Sequence, residues 1–173
     1  MLMLPLFVIW VVLASAGLFY FGNQHYGTFA PDNHWQNNAP SVFLIEALGI
    51  AAAAGKQVVH VQSAKCARNR LVEAHLRQFD EDYKLSADAQ FTLQLSQVAA
   101  AEFVLPAAPA ILIFEDGRLI YAGPYATGPL CSPSDSLIAP ILRNEVQLPG
   151  RWLNAEAKAC RCLINPESFS PAL

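Results

Sequence analysis

The sequence predicts an α/β domain preceded by a long apolar helix. Val58, Val59 and Val61 fall in the run QVVHVQS, residues 57–63, whose β-branched side chains favour a short buried strand. Beyond Cys66 the period changes. Leu71, Ala74, His75 and Phe79 recur at helical spacing, with Arg77 and Asp80 between them. A second apolar strand, Ala110 to Phe114, leads through Glu115-Asp116-Gly117 to a return strand, Arg118 to Ala122. Glycine is free to take positive φ, which suits a hairpin turn there.

Ahead of these elements lies MLMLPLFVIWVVLASAGLFYFG, with no charged side chain before Asp32. Residues 1–21 are long enough to cross a hydrocarbon core as a helix of about 20 residues. Phe19, Tyr20 and Phe21 supply an aromatic border for one interface. A retained anchor is the preferred reading. No Lys or Arg precedes the run, and apolar residues continue past Ala16. The small-x-small triplet Ala14-Ser15-Ala16 makes a cleaved signal peptide the alternative. Flanking charge gives no orientation, because Lys56 is the nearest basic side chain after the run. Residues 22–40 are rich in Asn, Gly and Pro and read as a linker. His25 and His34 read there as solvated histidines, since their spacing matches no compact metal site. Residues 41–173 form the domain and a cysteine-bearing C-terminal extension.

Within the domain, SVFLIEALGIAAAAGK, residues 41–56, is expected to be a helix capped by Ser41 and ended by Gly55. His60 reads as a satisfied polar residue near a sheet edge. Phe91, Leu93 and Leu95 alternate, which predicts a short strand near Leu93 and then a helix from Ser96. Pro109 stands directly before an apolar strand, so it marks the strand start and permits a tight cis turn. A helix is expected from Ser136 to Arg143, capped by Ser134 or Asp135. AEAKACRC, residues 155–162, suggests a helical turn. Asp80, Glu81 and Asp82 read as a solvated face, and Trp35 and Trp152 form no stacking platform.

Several function classes fall away. The net charge is −3 and Lys and Arg form no block, which argues against nucleic acid as a partner. No glycine-rich phosphate loop, GxSxG or HExxH occurs, so no cofactor is expected. Four cysteines remain: Cys66, Cys131, Cys160 and Cys162. An even count behind an export-like leader favours an oxidising compartment. Cys66 falls at a strand-to-helix junction crowded by Lys65, Arg68 and Arg70, and each of these features favours the thiolate, the attacking species. Cys131 is a candidate for a structural disulfide with Cys160 or Cys162, leaving one tail cysteine free to pair with Cys66 or react. A metal site built from those three lacks a fourth ligand.

The order of strand, Cys66, helix, proline, strand, turn and strand resembles the thioredoxin-like superfamily over residues 57–123. It also looks like a bacterial family of membrane-anchored thioredoxin-like proteins, through GPYATGPLC and the tail ACRC. The resemblance implies a central mixed sheet flanked by helices, Cys66 as nucleophile, and Pro109 as the cis-proline shaping a substrate groove. Asn69 occupies the place of the second CxxC cysteine, so a local dithiol is absent. Arg68 and Asn69 are candidates for polarising the thiolate. Three ways of working then stay open. Cys66 acts as a monothiol; Cys131, Cys160 or Cys162 resolves it from a distance; or catalysis is lost and the fold binds. The expectation is a membrane-tethered thiol–disulfide oxidoreductase whose partner is a protein thiol or disulfide. The alternatives are a non-catalytic binding or assembly protein and, further back, a metallochaperone using the tail CxC. The expected place is the inner membrane, single-pass, with the domain facing the periplasm, or the periplasm itself after cleavage.

Overall fold

The structure, a computed structural model, describes residues 3–31, 34–64 and 66–164 and omits the side chains of Gln24, Asp80 and Glu81. In chain order it has α1 (Met3–His25), β1 (Tyr26–Thr28), α2 (His34–Asn38), β2 (Lys56–Gln62), α3 (Asn69–Glu81), β3 (Gln90–Gln94) and α4 (Leu95–Ala100). There follow β4 (Ala107–Ala108), β5 (Ala110–Glu115), β6 (Arg118–Gly123), α5 (Ala139–Leu142), β7 (Trp152–Leu153), β8 (Lys158–Cys160) and β9 (Cys162–Leu163). Met3–Asn23 of α1 has mean hydropathy 2.2 and buries none of its length against the domain. By length and composition it is able to cross a bilayer.

The mixed α/β architecture expected from sequence is present. A five-stranded sheet has the order β3-β2-β5-β6-β7. β2 pairs parallel with β3 and antiparallel with β5, and β5 pairs antiparallel with β6. A parallel pair needs a crossover, and α3 supplies it between β2 and β3. β2 is an interior strand with a core on each face, and Gln57 to Val61 are all buried. That explains why its apolar run is continuous rather than alternating.

Side chains along β5 alternate between two cores. Ile111 and Ile113 join Val58, Val72, Phe79, Tyr121, Tyr125, Ile138 and Ile141 beneath α3 and α5. Ala110, Leu112 and Phe114 join Phe29, Trp35, Phe43, Ile45, Val59, Val98 and Phe103 on the other face. At the β5–β6 turn, Asp116 and Gly117 have φ of 49° and 77°, the two positive values that a two-residue hairpin loop of this kind needs. Asp116 Oδ1 also accepts a 2.8 Å bond from Gly55 N–H, tying the turn to the chain entering β2.

Four expectations need correction. Residues 41–56 are not a helix; only Ile45–Leu48 makes a 3₁₀ turn. Phe43 and Ile45 are drawn into the core, their backbones bonded to Leu119 and Gly117, while Ala51–Ala54 stay exposed with no apolar face to dock. So short an alanine run is marginal without packing. His60 lies on β2, an interior strand one place in from the edge strand β3, and at 1% exposed it is a core residue rather than an edge one. The 136–143 helix is cut to Ala139–Leu142, after a 3₁₀ turn at Pro133–Asp135. Ser136, rather than Ser134 or Asp135, accepts from its first N–H, at 3.1 Å. The tail 155–162 is extended: β8 pairs antiparallel with β1 and β9 with β4. The strand near Leu93 and the following helix are present, and Gln94 and Gln97 close that helix start as a reciprocal cap. The stretch read as linker contributes β1 and α2, and buries Phe29 and Trp35. Residues 165–173 and Lys65 lie outside the described residues.

Ile113 is fully buried in the middle strand. Ile113→Ala is expected to lower the unfolding free energy by about 2–5 kcal/mol, the range for buried Ile or Leu truncations. Denaturant titration with an unchanged m-value checks this.

Candidate functional site

The β2 strand ends at Gln62 and the chain turns sharply before α3 begins. Cys66 N–H donates to Ser63 O at 2.9 Å, and Asn69 N–H donates to Cys66 O at 3.2 Å. Asn69 Nδ2 donates to Ser63 O at 2.8 Å. Asn69 therefore fastens the loop. Its side chain is engaged with the backbone rather than with sulfur. Arg68 precedes α3 and is half-buried; no ion pair joins it to another described residue. The start of α3 presents its positive end toward the loop that carries Cys66.

Every cysteine is in a disulfide. Cys66 bonds Cys162, with Cα atoms 5.8 Å apart, and Cys131 bonds Cys160, at 5.9 Å. Two of the pairings that the sequence left open are thereby fixed. The tail Cys-x-Cys does not close on itself; its two sulfurs go to different partners. Cys160 N–H also donates to Cys131 Sγ at 2.6 Å. Cys66 is 5% exposed, whereas Cys162 is half-buried on a two-residue strand.

The Ala108–Pro109 peptide is cis, as the proline's position permits. Cys66 Sγ lies 3.5 Å from the Ala108 carbonyl oxygen. Ala108 in turn faces Cys162 across the β4–β9 ladder, and Ile164 N–H extends that ladder to Pro106 O at 3.1 Å. The structure thus brings Cys66, Pro109 and Cys162 together at one end of the sheet. Cys131 and Cys160 are adjacent. Pro109 shares the lining of a cavity of about 20 Å³ with His75, Tyr125, Cys131 and Cys160.

Beneath this end lies an aromatic column that the sequence did not reveal as a unit. His60 Nδ1 is hydrogen-bonded to the Tyr125 hydroxyl at 2.8 Å, with the two rings stacked. His75 Nε2–H donates to Cys131 O at 3.1 Å, which fixes that tautomer. The signal available in advance was helical spacing: Val72, His75 and Phe79 share one face, so His75 must point at the sheet. Burial disfavours the charged imidazole. It lowers His60 from 6.5 to about 4, against a smaller opposing hydrogen bond from Gln90, and it lowers His75 as well.

No group of three or more His, Cys, Asp or Glu side chains forms a metal-binding cluster among the described residues. With both tail sulfurs bonded, the Cys-x-Cys offers no thiolate pair to a metal in this state.

Fold and site together define a mixed α/β domain behind an apolar helix, with its last strands fixed by two disulfides. The chain belongs to the family described as domain of unknown function (DUF6436), which matches residues 33–164. Neither a curated protein nor a solved structure matches the chain.

Two outcomes are expected. First, Cys131→Ser with Cys160→Ser should destabilise by about 3.6 kcal/mol, the chain-entropy value for a separation of 29 residues, as read by denaturant melts. Second, stability should fall with acid. The unfolded chain protonates near pH 6.5 while folded His60 resists to about pH 4, so the unfolded state binds more protons between these values. Stability is then fully present above pH 6.5 and declines by about 3 kcal/mol on the way to pH 4 from His60 alone. His60→Phe should flatten the slope of unfolding free energy against pH.

Proposed function

We propose that the chain is a membrane-tethered thiol–disulfide oxidoreductase that acts on protein disulfides through Cys66, with Cys162 as its distant resolving cysteine. The observation that carries this is the Cys66–Cys162 bond, formed beside β4 and Pro109 and reached from a half-buried tail strand. The strand order around β2, the helix after Cys66 and the proline before β5 support the likeness to thioredoxin-like proteins. The apolar helix α1 supports a retained single-pass anchor, with the domain on the oxidising side, where two disulfides would persist.

The exchange balances as follows. Reduced Cys66 attacks a substrate disulfide as thiolate, forms a mixed disulfide and expels one substrate thiolate. Cys162, as thiolate, then attacks Cys66 Sγ, expels the second substrate thiolate and forms Cys66–Cys162. The substrate is reduced by two electrons and the protein oxidised by two. A dithiol reductant restores the cycle by attacking Cys162, the more open sulfur, with Cys66 leaving toward the start of α3. The steps are reversible, so an oxidising partner runs them backward. Pro109 and the β4 edge shape the approach to sulfur, and Asn69 holds the loop through its bond to Ser63 O. Cys131–Cys160 is the staple that keeps the tail in place while Cys162 opens and closes.

A disulfide-bonded peptide offered to the reduced full chain tests this. Cys162→Ser is expected to accumulate a mixed disulfide at Cys66, which wild type resolves. Cys66→Ser should form none and lose exchange by at least two orders of magnitude, the scale set by losing the thiolate. Exchange by Cys66→Ser at the wild-type rate would sink the catalytic reading and favour a binding module.

A further inference from the structure

β9 shows how a cysteine-bearing segment sits when its sulfur is bonded to Cys66. It lies antiparallel to β4, with Cys162 opposite Ala108 and Leu163 opposite Ala107. Ile164 N–H carries the ladder one step further, donating to Pro106 O at 3.1 Å. Side chains alternate along an extended chain. Accordingly Leu163 is 48% exposed, while Cys162 and Ile164 on either side of it are half-buried. Ile164 packs on the same core cluster as Trp35 and Leu105.

The seat of Ile164 is larger than its occupant. With Ile164 in place, a cavity of about 280 Å³ remains beside it, lined by Trp35, Ala39, Val104, Leu105 and Pro106. About 150 Å³ is room enough for a benzene ring. Trp35 and Leu105 are buried and Val104 is 51% exposed, so the cavity has an apolar floor and an open side. Its polar lining groups, His34, Asn38 and Glu102, are all exposed, the arrangement of an apolar pocket with a polar rim.

A substrate sulfur bonded to Cys66 takes the place of Cys162. Bonded cysteines hold their Cα atoms about 4.4–6.8 Å apart. Cys162 fills that position at 5.8 Å, and with it there Cys66 is only 5% exposed. The side of Cys66 Sγ open to an incoming sulfur is therefore the side that Cys162 leaves. A segment whose cysteine arrives there meets the edge of β4 freed by β9. Its main chain replaces the β9 ladder, and the second residue past its cysteine falls where Ile164 was. Edge pairing supplies affinity without regard to sequence, and a pocket at an alternate position supplies choice.

We propose that this cavity is the specificity pocket for the substrate protein, taking a large apolar side chain two residues after the reacting cysteine. The substrate class is a cystine in an extended segment of the form Cys-x-Leu, Cys-x-Met or Cys-x-Phe. The tail's own Cys162-Leu163-Ile164 has the same pattern, so the return of Cys162 to Cys66 displaces the product from that seat. This rests on Cys66 exchanging with protein disulfides.

The test offers the reduced full chain, in mild detergent, symmetric disulfide dimers of an extended peptide, so that attack on either sulfur releases the same thiol. The peptides carry Ala or Leu two places past the cysteine, or Leu one place past it, and are otherwise identical. Second-order rate constants for the appearance of peptide thiol are compared. Leu at the second place is expected to exchange at least tenfold faster than Ala, through burial of its extra apolar surface. Leu at the first place should gain less than twofold. Ala39→Phe, which fills the cavity, should bring the Leu-to-Ala ratio to within twofold of one. Only the ratio is read, so any loss of folded protein cancels. Equal rates for Ala and Leu at the second place in wild type overturn the pocket and leave the Cys66 chemistry standing. An equal gain from Leu at the first place assigns the preference to general apolar affinity and overturns the pocket too, as does an undiminished ratio in Ala39→Phe. Exchange with none of the peptides overturns the oxidoreductase reading, and the pocket with it.

Discussion

One covalent bond, Cys66–Cys162, organises the end of the sheet where β2 gives way to α3. It spans 96 residues of sequence and joins the loop before α3 to the tail. Closing so long a loop removes about 4.7 kcal/mol of unfolded-chain entropy in the simple chain model. What it secures is small: two residues of β9 laid along two residues of β4. So short a ladder has little stability of its own. The bond and the ladder depend on each other, which couples the redox state of Cys66 to the cover over β4.

The rest of the fold is arranged to make that coupling local. β2 and β5 are the rigid centre, buried on both faces. Cys66 follows the end of β2, and Pro109 directly precedes β5, so both are positioned by strands buried on both faces. The second disulfide and the His75–Cys131 hydrogen bond hold the 124–138 loop against α3. A tail opened at Cys162 therefore stays tethered at Cys160. That limits how far Cys162 Sγ travels from Cys66 and keeps its effective concentration there high.

Much of this was legible in the residues, and the part that was not has a common cause. Strands β2, β5 and β6 and helix α3 declared themselves because local pattern and tertiary demand agree: β-branched runs where both faces are covered, helical period where one face is. Asp116-Gly117 dictates its own turn. The failures come where long-range contacts override local preference. Ala51–Ala54 have high helix propensity but no surface to pack on. Ala155–Cys162 looks helical by composition, yet strand pairing and two sulfur bonds hold it extended. Cysteine pairing cannot be read from spacing; the fold alone selects Cys162 from Cys131, Cys160 and Cys162 as the partner of Cys66.

The central claim is that one cystine exchanges and the other staples. Timed alkylation under graded dithiol reductant, with peptide mapping, tests it most directly. Access governs attack on a disulfide, and Cys162 is more open than Cys131 or Cys160. The account predicts that Cys66 and Cys162 become labelled first, with the chain still folded and Cys131–Cys160 intact. Simultaneous labelling of all four cysteines, only as the protein unfolds, would contradict it.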